Sequence, residues 1–147
     1  MFDFGKKTVP TVQSLLAEIG SAGTVIFVGG ISPRLEGEEM PVAVEGFRGG
    51  DRTSIELPKA QRNLIASLKQ AGKKIVYVNC SGSAIALEPE SRNCEAIVQA
   101  WYGGEQGGRA LADVLFGDYN PSGKLPVTFY RNDSQLPDYE DYRICHM

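Results

Sequence analysis

The sequence predicts an α/β fold: a three-layer sandwich with a mainly parallel sheet, one antiparallel edge strand and helices on both faces, flavodoxin- or Rossmann-like in architecture. Three observations carry this. Short β-branched apolar runs alternate with stretches of helical periodicity. The first run, TVIFV, is apolar after Thr24 and rich in β-branched residues, the near-continuous pattern of strands covered on both faces. The first two runs end in Gly29-Gly30 and Ser81-Gly82-Ser83, where a chain turns out of a strand.

Each element has its own warrant. Thr11–Ile19 (TVQSLLAEI) spaces its apolar residues helically, and Gly20 stops it. Thr24–Val28 reads as a buried parallel strand. Pro58–Ala71 has Pro at its start and Gly72 after it, the asymmetry of a helix. Lys74–Asn79 (KIVYVN) is a second strand, and Ala84–Leu87 a helical turn ahead of Pro89. Ala96–Trp101 (AIVQAW) is a third strand, followed by a Gly-rich loop from Gly103 to Gly108. Arg109–Phe116 is a helix stopped by Gly117. Leu125–Tyr130 (LPVTFY) is a last strand after the turn Asn120-Pro121-Ser122-Gly123. Pro126 lacks a backbone donor, which places that strand at an edge, as the antiparallel one. The polar tail after Arg131 reads as surface coil.

Composition narrows the function. The chain has 147 residues, enough for a single domain (1–147) with a real core. Its net charge is -3, and its 15 Lys and Arg residues are scattered, so no nucleic-acid partner is expected. No apolar run has transmembrane length, and the N-terminus lacks an apolar signal core, so no membrane partner is expected either. Cys80, Cys94 and Cys145 are odd in number and widely spaced, and His146 is the single histidine. That excludes a disulfide framework, a zinc site and a Ser-His-Asp triad. Cys80 reads as a small buried hydrophobe. No cofactor is expected. GGEQGGRA (103–110) matches neither a dinucleotide fingerprint nor a phosphate loop, and it carries Glu105.

Sheets of this kind bind ligands outside the carboxyl ends of their strands. Three loops leave those ends: residues 32–52, Ser81-Gly82-Ser83, and the loop from Gly103. The first, SPRLEGEEMPVAVEGFRGGDR, places Glu36, Glu38 and Glu39 within one short stretch. Acids on a loop are most often solvated charge. Yet roughly twenty structureless residues in a compact domain are usually functional or disordered. Crowded carboxylates repel one another, which favours the protonated state a general acid needs. Glu36, Glu38 and Asp51 also suggest calcium, but without EF-hand spacing. Trp101 and Tyr102, after the third strand, fit either core packing or an interaction face.

The order LEGEEM…GFRGGDRTSIELPKAQ, then KIVYVNCSGSAIAL, then AIVQAWYGGEQGGRALADVLFGDYNPSGKLPVTFY resembles the C-terminal α/β-sandwich domain of glycoside hydrolase family 3. The family-like core spans 23–137, with 1–10 and 138–147 peripheral. The resemblance implies a retaining exo-acting β-glucosidase or β-xylosidase in which a (β/α)₈ barrel supplies an Asp nucleophile. This domain then lends the general acid/base. That role falls on Glu38 in Gly37-Glu38-Glu39-Met40, with Glu36 as the alternative, and Asp51 and Arg52 as structural support of the loop. The implied partners are the barrel and an oligosaccharide or aryl glycoside. The chain has no room for the barrel, so it is expected to be inactive alone and to self-associate through its bare barrel-facing surface. The implied full enzyme is periplasmic or secreted. A non-catalytic carbohydrate-binding or interaction module of the same fold is the alternative.

Overall fold

In the computed structural model, which describes residues 10–36, 41–49, 51–138 and 140–141, Thr11 opens the first helix, α1 (Val12–Ile19), by accepting a hydrogen bond from the Ser14 N–H at 3.1 Å. Gly20 ends it at φ +54°. Strand β1 (Thr24–Gly30) follows, then the short helix α2 (Pro33–Glu36). Strands β2 (Phe47–Arg48) and β3 (Asp51–Arg52) form an antiparallel pair, with Gly49 at φ +64° in the turn between them. Helix α3 (Lys59–Gln70) leads to β4 (Lys74–Cys80), α4 (Glu88–Asn93), β5 (Ala96–Gln99) and α5 (Gly107–Phe116).

Among the described residues the main sheet is three-stranded and parallel, in the order β1-β4-β5. Its register runs from Thr24↔Lys74 to Gly30↔Cys80 and from Val76↔Ala96 to Asn79↔Gln99. The central strand β4 is the most buried, with Ile75, Tyr77, Val78 and Asn79 all inaccessible. Ile65 and Leu68 of α3 pack on Ile75 and Tyr77, joined by Leu16 and Ile19 of α1. Strand alternation turns Val78 and Val98 to the opposite face. There, Val98 and the α5 residues Leu111 and Val114 line a common cavity. Helices therefore lie on both faces, but α5 covers only the β5 side of its face: β1, expected to be buried, is parallel yet leaves Ile26 and Val28 exposed there.

The acidic stretch is more ordered than expected: α2 and the β2–β3 pair occupy part of it. Three other expectations need correction. Leu125–Tyr130 forms no strand but irregular chain, with Leu125 53% and Val127 52% exposed. Pro126 lacks an N–H, and the four-residue β5 offers little ladder to pair with. The antiparallel pairing lies in β2 and β3 instead. The helical turn expected at Ala84–Leu87 is displaced to α4, because Pro89 suits the first helical turn rather than a stop. Ala86 instead forms a parallel bridge with Glu56. The third strand ends at Gln99, short of Trp101.

Gly30 sits where β1 leaves the sheet, at φ +121°. A Cβ there would lie 2.0 Å from the Cys80 carbonyl oxygen. The Gln61 side chain completes the strand end like a neighbouring peptide: its Oε1 accepts from the Gly30 N–H at 2.8 Å, and its Nε2 donates to the Gly30 carbonyl at 2.6 Å. Gly30→Ala is expected to cost about 3–5 kcal/mol, the upper range for single substitutions. Gly104→Ala, where a Cβ meets nothing within 4 Å, is expected to stay within about 0.5 kcal/mol. Urea titration of the two variants checks this, and equal midpoints would refute it.

Candidate active site

The carboxyl ends of β1, β4 and β5 meet on one rim. From β1, Ile31 continues the ladder by donating its N–H to the Cys80 carbonyl at 2.9 Å. The Ser32 carbonyl then accepts from the Leu35 and Glu36 N–H groups and starts α2. From β4 comes Ser81-Gly82-Ser83. From β5 comes Trp101, the one non-glycine residue at positive φ (+57°) among the described residues. Such a backbone costs roughly 1–3 kcal/mol and persists only where the surroundings enforce it. The turn carries Tyr102 back across the rim. Its ring lies so near Gly82 that a Cβ there would come 2.8 Å from it and 3.3 Å from a Glu36 oxygen.

These residues converge on one carboxylate. Ser83 Oγ donates to Glu36 Oε1 at 3.0 Å. The Tyr102 hydroxyl lies 3.0 Å from Glu36 Oε2 and 2.6 Å from the Ile31 carbonyl oxygen, its single proton between two acceptors. Arg52 Nη1 donates to Ser83 Oγ at 2.9 Å and to the Ala84 carbonyl at 3.1 Å, and its Nε to the Ser54 carbonyl at 3.2 Å. Arg52 Nη2 is buried without a hydrogen-bond partner among the described residues. Burial lowers the Arg52 pKa from its ordinary value, against the pull of Glu36, Asp133 and Tyr102. Burial raises that of Tyr102, and the Glu36 carboxylate it faces adds to the rise.

A buried polar ladder supports this rim from below. The Tyr77 hydroxyl donates to Asn79 Oδ1 at 3.1 Å. Asn79 Nδ2 donates to Gln99 Oε1 at 2.6 Å and to Ser81 Oγ at 3.1 Å. Ser81 Oγ donates to the Ser83 carbonyl at 2.8 Å. Asn79 and Ser81 are fully buried, and each has its partner, so the ladder holds its geometry rather than destabilising the core.

Of the sequence-predicted residues, Glu36 and Arg52 are brought together through Ser83. Asp51 is exposed on the β2–β3 pair. Glu38 lies outside the described residues. Cys80 is half-buried, and burial pushes its thiol pKa up. Tyr102 is 43% exposed at the rim and is not core. Among the described residues no cluster of His, Cys, Asp and Glu could hold a metal ion. Sequence reading placed Ser83 on a rim loop without a role, and missed Asn79, Gln99 and the part played by Tyr102. One signal was present: Tyr77, Asn79 and Ser81 alternate on the face of Ile75, so polar groups follow apolar ones into the core at a strand end.

The sequence matches the glycosyl hydrolase family 3 C-terminal domain over residues 9–146. It is 69% identical over 132 residues to a xylan 1,4-beta-xylosidase of Xylanibacter ruminicola, covering 90% of this chain and 15% of that protein. It is 48% identical over 107 residues to a periplasmic beta-glucosidase of Salmonella typhimurium, covering 69% of this chain and 14% of that one. Among solved structures, a b-glucosidase of Erythrobacter marinus superposes with a TM-score of 0.72 at 38% identity, over 87% of this chain and 17% of its own. The chain thus spans about 15% of the length of the curated relatives it matches. With that match over nearly its whole length, and an α/β architecture shared with solved β-glucosidases, the chain belongs to the glycoside hydrolase family 3 C-terminal domain family.

Proposed function

We propose that the chain is the acid/base-bearing domain of a retaining, exo-acting β-glycosidase that removes terminal β-linked glucose or xylose from oligosaccharides, with Glu38 as the general acid/base. What supports this is where the acidic stretch starts: Glu36 lies on the rim at the carboxyl ends of the strands, in a chain of this family. Both Glu36 oxygens are engaged by Ser83 and Tyr102, which favours Glu38 over Glu36 as the proton donor. Arg52 supports the stretch through Ser83 and Ala84, with Asp51 beside it in β3.

A (β/α)₈ barrel supplies the Asp nucleophile opposite, the two carboxyl groups about 5–5.5 Å apart. Glu38 protonates the departing glycosidic oxygen as the nucleophile bonds to the anomeric carbon. It then takes a proton from the water that releases the sugar. Without the barrel there is no nucleophile and no positioned substrate. The similarity to a periplasmic relative supports a periplasmic or secreted setting.

The isolated chain is therefore expected to cleave neither aryl β-xylosides nor aryl β-glucosides. Joining it to the barrel portion of the Xylanibacter relative is expected to restore turnover, and Glu38→Ala to remove it again. Turnover by the isolated chain, or an active Glu38→Ala enzyme, would sink the proposal. The isolated chain is also expected to self-associate through bare apolar surface. Ile26 (45% exposed) and Val28 (54%) stand on one face of the edge strand β1, with no charge or proline to protect it. Sedimentation should show mass rising with concentration, and Val28→Lys should suppress the rise; a monomer at every soluble concentration contradicts this.

A further inference from the structure

We infer that Tyr102 and Ser83 form a clamp on the Glu36 carboxylate, and that this clamp positions the start of the acidic stretch for the acid/base step. The inference rests on the reading of Glu38 as the acid/base. It concerns a different set of groups, which act through position and transfer no proton.

Four independent features converge on the clamp. Glu36 is the last residue of α2; Ser83 Oγ donates to its Oε1 at 3.0 Å, and the Tyr102 hydroxyl faces its Oε2 at 3.0 Å. The same hydroxyl lies 2.6 Å from the Ile31 carbonyl oxygen, so its one proton is shared between acceptors at the two ends of the β1-to-α2 connection. Gly82 leaves the space that the Tyr102 ring and Glu36 occupy, since a Cβ there would lie 2.8 Å from the ring. Trp101 holds a backbone of φ +57° that directs Tyr102 inward. Strained backbone of this kind is retained where the surroundings over-determine it, and it gathers at functional sites. Arg52 completes the assembly from the other side through Ser83 Oγ. The clamp thus joins the exits of all three parallel strands to one carboxylate.

Covalent geometry does the rest. One residue, Gly37, separates Glu36 from Glu38, so the two Cα atoms are at most about 7 Å apart. Fixing Glu36 limits where Glu38 can be carried. General acid catalysis tolerates little misplacement: an error near 1 Å can cost about 100-fold in rate. A clamp of this kind is expected to influence kcat more than KM, because it acts on the position of the acid and not on substrate binding.

The test uses the complete chain joined to its barrel, with Glu36→Ala, Glu36→Gln, Tyr102→Phe and Ser83→Ala. Each variant chain is first checked for an unchanged melting temperature, and the set offers alternatives should one variant misfold. A positioning role predicts that Glu36→Ala and Tyr102→Phe lower kcat about 10- to 100-fold with KM little changed. Glu36→Gln should recover most of the loss. An amide can still accept from Tyr102 and donate to Ser83 Oγ, but it cannot supply a proton as an acid does. Azide should restore Glu38→Ala but not Glu36→Ala. If Glu38→Ala is dead while Glu36→Ala, Tyr102→Phe and Ser83→Ala keep wild-type kcat, the clamp is wrong and the Glu38 reading stands. If Glu36→Gln is as dead as Glu36→Ala, azide rescues both, and Glu38→Ala is active, then Glu36 is itself the acid and both readings fall.

Discussion

Glu38→Ala in the barrel-joined enzyme is expected to lower kcat for unactivated glycosides by about 10²–10⁴-fold, the usual range for general acid/base catalysis. The loss should depend on the leaving group. An alkoxide leaves poorly without a proton, so disaccharides suffer in full. A nitrophenolate leaves readily without one, so glycosylation of the nucleophile survives. The second step then fails, because no base activates water against the glycosyl-enzyme. That intermediate should accumulate, giving a burst of phenolate and a fall in KM together with kcat. Azide needs no base, so it should attack the intermediate and restore turnover, releasing a glycosyl azide with retained configuration. Equal losses on disaccharide and nitrophenyl substrates, with no azide effect, would show that Glu38 does other work. The same pattern found at Glu36 would move the role there.

The sequence disclosed the strands and long helices because their signals are local. TVIFV and KIVYV are β-branched and apolar, and Gly20, Gly72 and Gly117 stand where helices end. Leu125–Tyr130 misled because its composition suits a strand, whereas a strand also needs a neighbour, and β5 is only four residues long. Pairing is a non-local property that a stretch of composition does not contain. The rim divided in the same way. Topology placed the three loops together, since every parallel strand exits on the same side. The clamp stayed hidden because its members are far apart: Glu36 and Tyr102 are separated by 66 positions, and Ser83 and Arg52 by 31. Tyr102 also has the composition of a core residue, and only its placement after the turn at Trp101 sends its hydroxyl to Glu36.

Arg62→Met is expected to be the most destabilising substitution of a charged residue in the domain, at about 3–5 kcal/mol. Glu90, in α4, is fully buried, and Arg62 of α3 meets it with two hydrogen bonds, Nε to Oε1 at 2.8 Å and Nη2 to Oε2 at 3.3 Å. Arg62 also pairs with Glu56 and donates to the Ala86 carbonyl at 3.2 Å. Burial alone would lower the Arg62 pKa, but the hydrogen bonds and charges of Glu90 and Glu56 raise it above its ordinary value. Arg62 therefore stays charged in the folded state. Removing it leaves Glu90 buried with no opposite charge, and that desolvation is not recovered by a methionine of similar length. Against the 5–15 kcal/mol typical of a whole domain, such a loss would leave a marginal fold. The pair itself contributes less than its removal costs, because both charges were taken from water to form it. Arg62→Met combined with Glu90→Leu is accordingly expected to recover most of the stability, as apolar replacement of buried ion pairs does. Urea denaturation of the single and double variants decides the matter. The expected order places the double variant well above Arg62→Met; a single variant within about 1 kcal/mol of wild type would mean that water or rearrangement compensates Glu90. The consequence reaches the rim, because Arg62 grips the Ala86 carbonyl three residues beyond Ser83. Loosening that grip should therefore weaken the clamp on Glu36 in the fraction that remains folded.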